Sequence, residues 1–401
     1  MDSRLTVFVL ALMATSVIAL LARALPVPYE SALALAGLGA GILVGPLDTG
    51  FAHSLILSVL LPGLLFDASY RLSWKLLRGN LVAVVLLATM GVLLTTTVVA
   101  FLGHLALGLA LPLAILLGAM VAPTDPVAVV AVFRRLSVPD RLLNLIEGES
   151  LANDGTGVVV FTIALTALGA TALQPGPSLV QFVRLALGGV ALGVAVGFLL
   201  SALTSRVDDF QVEITLTAIA AYGGYLLGTY LQVSGILTVV SAGVVLGSFG
   251  RPRGMSQRTQ EAIDQFWDYA AFILNSFAFL LIGLTEPWRS VLDHAGFVAL
   301  AAVIALLARA VSVYAIFGLL RPLRLHVSFR WQHLLVWGGL RGVIAVVLVL
   351  SLTGSGGSVG LVRSLVYGVT LLSIVVQGAT VGPVARALLR QPKAGGEAAT
   401  S

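Results

Sequence analysis

The stretch Glu147-Gly-Glu-Ser-Leu-Ala-Asn-Asp-Gly-Thr-Gly157 sets three carboxylates, a carboxamide and two hydroxyls in a run, 142–173, whose other residues are almost all Leu, Ile, Val, Phe, Ala, Thr or Gly. A charged side chain at the centre of a membrane helix costs about 2.5–3.5 kcal/mol on insertion scales. Folding alone does not ask for that cost, so the default reading is a site for a cation or a proton. Residues four apart share a helix face, at about 100° per residue. Ser150 therefore stacks with Asp154, and Glu149 with Asn153. Glu149 and Asp154 point about 140° apart, which suits two jobs: one carboxylate open to a cavity, the other tied to a partner. The structural alternative is that both are held in buried ion pairs. Glu147 lies nearer the end of the run and reads as interfacial.

Two interruptions carry the other buried charges. Ala122-Pro-Thr-Asp-Pro126 has two prolines three apart inside an apolar run; they remove two amide donors and clash with the preceding turn. In lipid such a break survives only where protein buries it or it lines a wet cavity. It leaves Thr124 and Asp125 among unpaired backbone groups at half-helix ends, an arrangement that builds cation sites in transporters. A plain kink needs no aspartate. Gly338-Gly-Leu-Arg-Gly342 is a second interruption with the opposite charge, and the two suggest an inverted repeat in which the broken helices cross. Asp125 and Arg341 would balance the helix-end dipoles there, a mainly architectural role. Arg309, in another apolar run, needs a buried counter-ion, for which Glu149 is the natural candidate. That pairing would leave Asp154 free to exchange its proton. Asp67 reads as either a ligand at the mouth of the site or an interfacial charge, four residues from Arg71. Arg184 and Glu213 lie near span ends and read as snorkelling to headgroups.

The elements that must position these groups follow from composition. The chain has 401 residues, 58% hydrophobic and 10% charged, against about 25% charged in soluble domains. It reads as an all-α polytopic membrane protein. Thirteen apolar runs approach the length needed to cross a bilayer: 5–23, 31–46, 50–69, 81–102, 106–133, 143–171, 179–203, 209–230, 233–249, 266–285, 294–318, 331–352 and 361–388. The first reads as a retained span rather than a signal peptide, because its apolar run is long and a basic residue follows. No polar stretch is long enough for a soluble domain, so 1–401 is one membrane domain. Of the 23 Lys and Arg, 17 fall in loops after odd-numbered spans, which places the N-terminus outside and the C-terminus in the cytoplasm. Counted from flanking basic residues, Asp125, Asp154, Arg309 and Arg341 sit at about 13–20 Å depth in a core about 30 Å thick. Four charges at one depth imply one site.

Several classes drop out. The chain has no cysteine, so disulfides and thiolate chemistry are excluded. Its basic residues are scattered between apolar spans, which argues against nucleic acid. Gly148-Glu-Ser150 lacks the second glycine of a nucleophile elbow, and no zinc motif or nucleotide-binding loop is present. No enzyme activity and no cofactor are expected.

The pieces Phe66-Asp-Ala68, Thr124-Asp-Pro-Val-Ala-Val129, Gly148-Glu-Ser-Leu-Ala-Asn-Asp154, the 275–283 stretch, Ala308-Arg309, Gly338-Gly-Leu-Arg-Gly342 and Gln377-Gly378 together resemble monovalent cation:proton antiporter family 1, the NhaP- and NHE-type sodium/proton exchangers. The resemblance implies an NhaA/NhaP-like fold of thirteen helices, a homodimer, and a core (81–171 and 294–388) that moves as an elevator. The dimerisation bundle would comprise 1–69 and 209–285, with 179–203 as a linker helix. It implies that Asp154 binds the cation or the proton with help from Ser150, Thr124 and Asp67. It also implies that Asn153 marks the electroneutral branch and that Glu149 pairs with Arg309. The family usually has glutamate where this chain has Asp67, one methylene shorter, and no long cytoplasmic tail is expected.

The resulting expectation is electroneutral exchange of one Na⁺ or Li⁺ for one proton in the cell membrane, serving pH homeostasis, with Asp154, Thr124 and Ser150 as the cation's ligands and Asp67 and Asn153 completing the cation- and proton-binding set. K⁺/H⁺ exchange in the same fold is the nearest alternative, since these oxygens select poorly among alkali ions. A cation channel or an intramembrane enzyme using Ser150 are alternatives of other classes.

Overall fold

A computed structural model describes residues 3–22, 29–44, 55–168, 175–284, 288–322, 325, 327–352 and 357–389. The regular elements among them are all helices, as they must be where lipid offers no partner for backbone amides and carbonyls. In chain order they are α1 (Ser3–Ala22), α2 (Tyr29–Val44), α3 (Leu61–Arg71, entered through a π-turn at Ile56–Leu60) and α4 (Trp74–Leu107). There follow α5 (Leu111–Val121), α6 (Val127–Arg135), α7 (Asp140–Leu168) and α8 (Pro175–Thr204). Next come α9 (Phe210–Ala218, prolonged to Tyr230), α10 (Gly235–Val245, prolonged to Gly254), α11 (Gln257–Leu284) and the short α12 (Trp288–Asp293). The chain closes with α13 (Ala295–Leu320), α14 (Phe329–Trp337), α15 (Val343–Leu350) and α16 (Gly357–Leu389).

Seven of these, α4, α7, α8, α10, α11, α13 and α16, are long and apolar enough to cross a membrane by length and composition among the described residues. Helices fall on the expected spans but outrun the apolar bands. α4 starts at Trp74 rather than 81 and α11 at Gln257 rather than 266, because their first turns are amphipathic and carry the basic and acidic residues that hydropathy alone assigns to loops. Of the charges used for topology, Arg23, Arg324, Arg390 and Lys393 lie outside the described residues.

Packing sets up the site. α4 runs against α5, α7 and α13, and α13 against α16; α2 lies along α11, and both α3 and α8 along α10. The α2–α11 contact is backbone on backbone. A Cβ at Gly37 would strike the Leu280 carbonyl, and one at Gly283 the Ala34 carbonyl. Small residues give membrane helices this close approach in place of a hydrophobic drive. Glu213 departs from expectation. It does not snorkel but is fully buried in the first turn of α9, where it accepts a hydrogen bond from Thr259 Oγ1 at 3.2 Å and benefits from the helix N-terminus.

Candidate functional site

Two helix breaks meet at the centre. α5 stops at Val121 and α6 begins at Val127; α14 stops at Trp337 and α15 begins at Val343. The intervening non-helical segments touch: Asp125 N–H donates to the Leu340 carbonyl at 2.8 Å. The charges cross over. Arg341 Nη1 donates to the carbonyls of Ala122 at 2.8 Å and Pro123 at 3.2 Å, just past the C-terminal end of α5. The Asp125 carboxylate accepts from the Val127 amide at 3.1 Å and from the backbone of Val343, at the N-terminal ends of α6 and α15. Each break thus supplies the charge that the other break's helix end favours. Gly342 makes room, because a Cβ there would overlap the Asp125 carboxylate.

α7 passes beside this crossing and contributes four polar side chains from two faces. On one, Glu149 receives Arg309 Nη1 at 2.8 Å and Nη2 at 2.9 Å, from α13. Asn153, one turn on, donates to Glu149 Oε1 at 2.8 Å and to Thr124 Oγ1 at 2.9 Å, while its own oxygen accepts the Thr124 amide at 3.2 Å. Asn153 therefore ties the first break to the ion pair. On the other face, Ser150 Oγ donates to the Thr124 carbonyl. Asp154 is 8% exposed, and among the described residues no hydrogen bond or ion pair engages its carboxylate.

Asp154, Ser150, Thr124, Asp125 and Asp67 all line one cavity of about 330 Å³, whose charged rim includes Arg71, Arg134 and Glu147. Glu147 is paired there with Arg134 at 2.9 Å. Asp67 is held by Arg71 Nε at 2.6 Å. Of the residues singled out from sequence, Glu149, Asn153, Arg309 and Arg341 sit behind this cavity rather than on it. The oxygens of Asp154, Thr124 and Ser150 could hold a small cation; Thr124 and Ser150 already spend part of their capacity on each other and on Asn153.

Residues to which the sequence reading gave no role also position the site. Ser373 Oγ accepts the Arg341 amide at 2.9 Å and donates to Gln377 Oε1 at 2.7 Å, and Gln377 Nε2 donates to the Trp337 carbonyl at 3.0 Å. This chain on α16 braces both sides of the second break. Two polar residues four apart in an apolar span were the available signal. Asn275, an amide within the apolar part of α11, also lines the cavity.

Comparisons with known proteins point to one transporter family. A family model described as the transmembrane sodium/hydrogen exchanger matches residues 9–387. The Na(+)/H(+) antiporter ApNhaP of Aphanothece halophytica is 39% identical over 361 residues, covering 89% of this chain and 69% of that protein. The Na(+)/H(+) antiporter NhaP of Pseudomonas aeruginosa is 37% identical over 341 residues, covering 81% and 79% respectively. In fold, the chain is similar to the sodium proton antiporter MjNhaP1 from Methanocaldococcus jannaschii at pH 8, with a TM-score of 0.82, 23% identity, and coverage of 96% of this chain and 99% of that one.

Proposed function

Since the chain belongs to the sodium/hydrogen exchanger family, we propose that it exchanges one sodium or lithium ion for one proton across the cell membrane at the single carboxylate of Asp154. The observation that carries this reading is the division of labour on α7. Glu149 is neutralised by Arg309 at 2.8 Å, whereas Asp154 faces the cavity with no partner among the described residues. A buried carboxylate facing a cavity can be neutralised by a proton or by a cation, and one group cannot hold both. Two neutral loaded forms and one charged empty form then give coupling: a bare carboxylate is costly to carry through a low-dielectric barrier, and either loaded form is not.

In this reading the cation is bound by Asp154 with Thr124 and Ser150, and reached past Asp67. Asn153 holds the break in register rather than touching the ion. α4 to α7 and α13 to α16 form the moving core, α1 to α3 and α9 to α11 the dimerisation scaffold, and α8 the linker. The core crosses the barrier as an elevator within a homodimer, with the N-terminus outside and the C-terminus in the cytoplasm.

Exchange in proteoliposomes tests this. A sodium gradient should drive proton movement at a rate independent of imposed membrane potential, and Asp154→Asn should abolish it in protein that remains monodisperse. Exchange that persists in Asp154→Asn, or an endpoint that follows voltage, defeats the reading.

A further inference from the structure

Arg71, the last residue of α3, lines the cavity that Asp154 faces. Its Nε donates to Asp67 at 2.6 Å. Its Nη2 reaches Asp268 Oδ1 at 2.9 Å and the Asp264 carbonyl at 3.4 Å, both on α11. Asp67 and Arg71 line the same cavity as Asp154. The two carboxylates around Arg71 are unlike. Asp67 is largely buried, 14% exposed against 69% for Asp268, and among the described residues it bonds to nothing but Arg71. Asp264, by contrast, is gripped at both oxygens by Arg251, at 3.0 and 2.7 Å, so the rail on which Arg71 rests is fixed. Arg71 can therefore release Asp67 without becoming unpaired, whereas Asp67 released from Arg71 needs another positive charge.

We propose that Arg71 is a tethered cation that competes with the incoming alkali ion for Asp67, and so sets the ion affinity of the cavity from the face on which it lies. Asp268 is the parking site: when the ion takes Asp67, Arg71 stays on α11. The proposal rests on Asp154 being the exchange site and adds an affinity-determining residue to it. A pair that merely stiffens α3, as Asp and Arg four apart commonly do, would leave ion affinity untouched.

The two ends of this switch make opposite predictions. Sodium is titrated against proteoliposomes on the face that carries Arg71, and KM is separated from kcat. Arg71→Gln lowers KM for sodium several-fold; Arg71→Lys, which keeps the charge, lowers it less. Asp268→Asn raises KM, because Arg71 loses its parking site and settles on Asp67. In an Asp67→Asn background, Arg71→Gln no longer lowers KM. An unchanged or raised KM in Arg71→Gln overturns the proposal, as does the same fall in the Asp67→Asn background. If Arg71→Gln does not fold, the Asp268→Asn result decides, and a KM that stays put or falls there overturns it. Failure of the underlying reading looks different: wild-type protein without sodium-dependent proton movement, or Asp154→Asn that retains it, sinks both.

Discussion

Arg309 clasps both carboxylate oxygens of Glu149, at 2.8 and 2.9 Å, across 160 residues of chain. Both side chains are almost fully buried, at 4% and 1% exposure. A fork-to-fork pair of this kind is the strongest form of the interaction, yet burying it costs about as much as it returns. Its value here is positional. It locks α13 to α7 and, through Asn153, to the first helix break, and it removes Glu149 from competition with Asp154 for the cation.

Removing one partner should hurt more than removing both. Arg309→Ala leaves a buried carboxylate uncompensated, a loss of about 3–5 kcal/mol, and should lower the melting temperature of the detergent-solubilised protein markedly. The double change Glu149→Leu with Arg309→Met keeps the volume and strands no charge. It should recover a large part of that loss. A double variant as unstable as Arg309→Ala alone would show that the pair does more than cancel charge.

Competition at Asp154 fixes the sign of the pH dependence. The carboxylate must lose its proton before it can hold sodium. Raising the proton concentration above that group's own dissociation constant therefore raises the apparent KM for sodium by about tenfold per pH unit. At higher pH the KM levels off. Radiolabelled sodium self-exchange with equal pH on both sides measures this without a driving gradient. A KM that stays flat while the maximal rate falls on acidification would mean proton and cation bind at different groups.

Much of this site could be read from spacing on one helix. The four-residue interval joins Glu149 to Asn153, and the five-residue interval turns Asp154 away from both, as a helix demands. The two breaks announced themselves through proline, glycine and a lone charge in apolar runs. What spacing could not convey were contacts set by tertiary approach. Asp268 reaches Arg71 from α11, nearly two hundred residues downstream, and no local pattern relates them. Ser373 and Gln377 brace the second break from α16, although hydropathy sees only an apolar span. Helix ends were also misplaced, because the apolar band marks the bilayer and α4 and α11 extend past it.

Asn153 is built as a donor. Its amide nitrogen serves Glu149 and Thr124 Oγ1 at 2.8 and 2.9 Å, and an aspartate there would have nothing to donate to Glu149 and would set a second negative charge beside it. Asn153→Asp should cost about 2–5 kcal/mol from unpaired and like-charged buried groups, read as a lowered melting temperature. Asp154→Asn, which removes a carboxylate that no described residue engages, should leave the melting temperature level or raise it. Equal destabilisation by the two would contradict the different roles assigned to neighbouring residues of α7.

The crossing itself makes the last prediction. Arg341 supplies its charge to three carbonyls, those of Ala122, Pro123 and, at 3.4 Å, Ala305, while Asp125 sits against the amide ends of α6 and α15. Hydrogen bonds to a charged group are worth about 1.5–3 kcal/mol each, and a charge at a helix end adds up to about 2 kcal/mol when partly buried. Arg341→Gln keeps a donor but loses the charge, so it should destabilise the protein by an amount in that range and slow exchange without shifting the sodium KM. Because the two charges meet opposite helix ends rather than each other, adding Asp125→Asn should deepen the loss nearly additively. Rescue by the second change would instead mean that Asp125 and Arg341 act as a direct ion pair, and the crossed arrangement of charge and dipole would have to be abandoned.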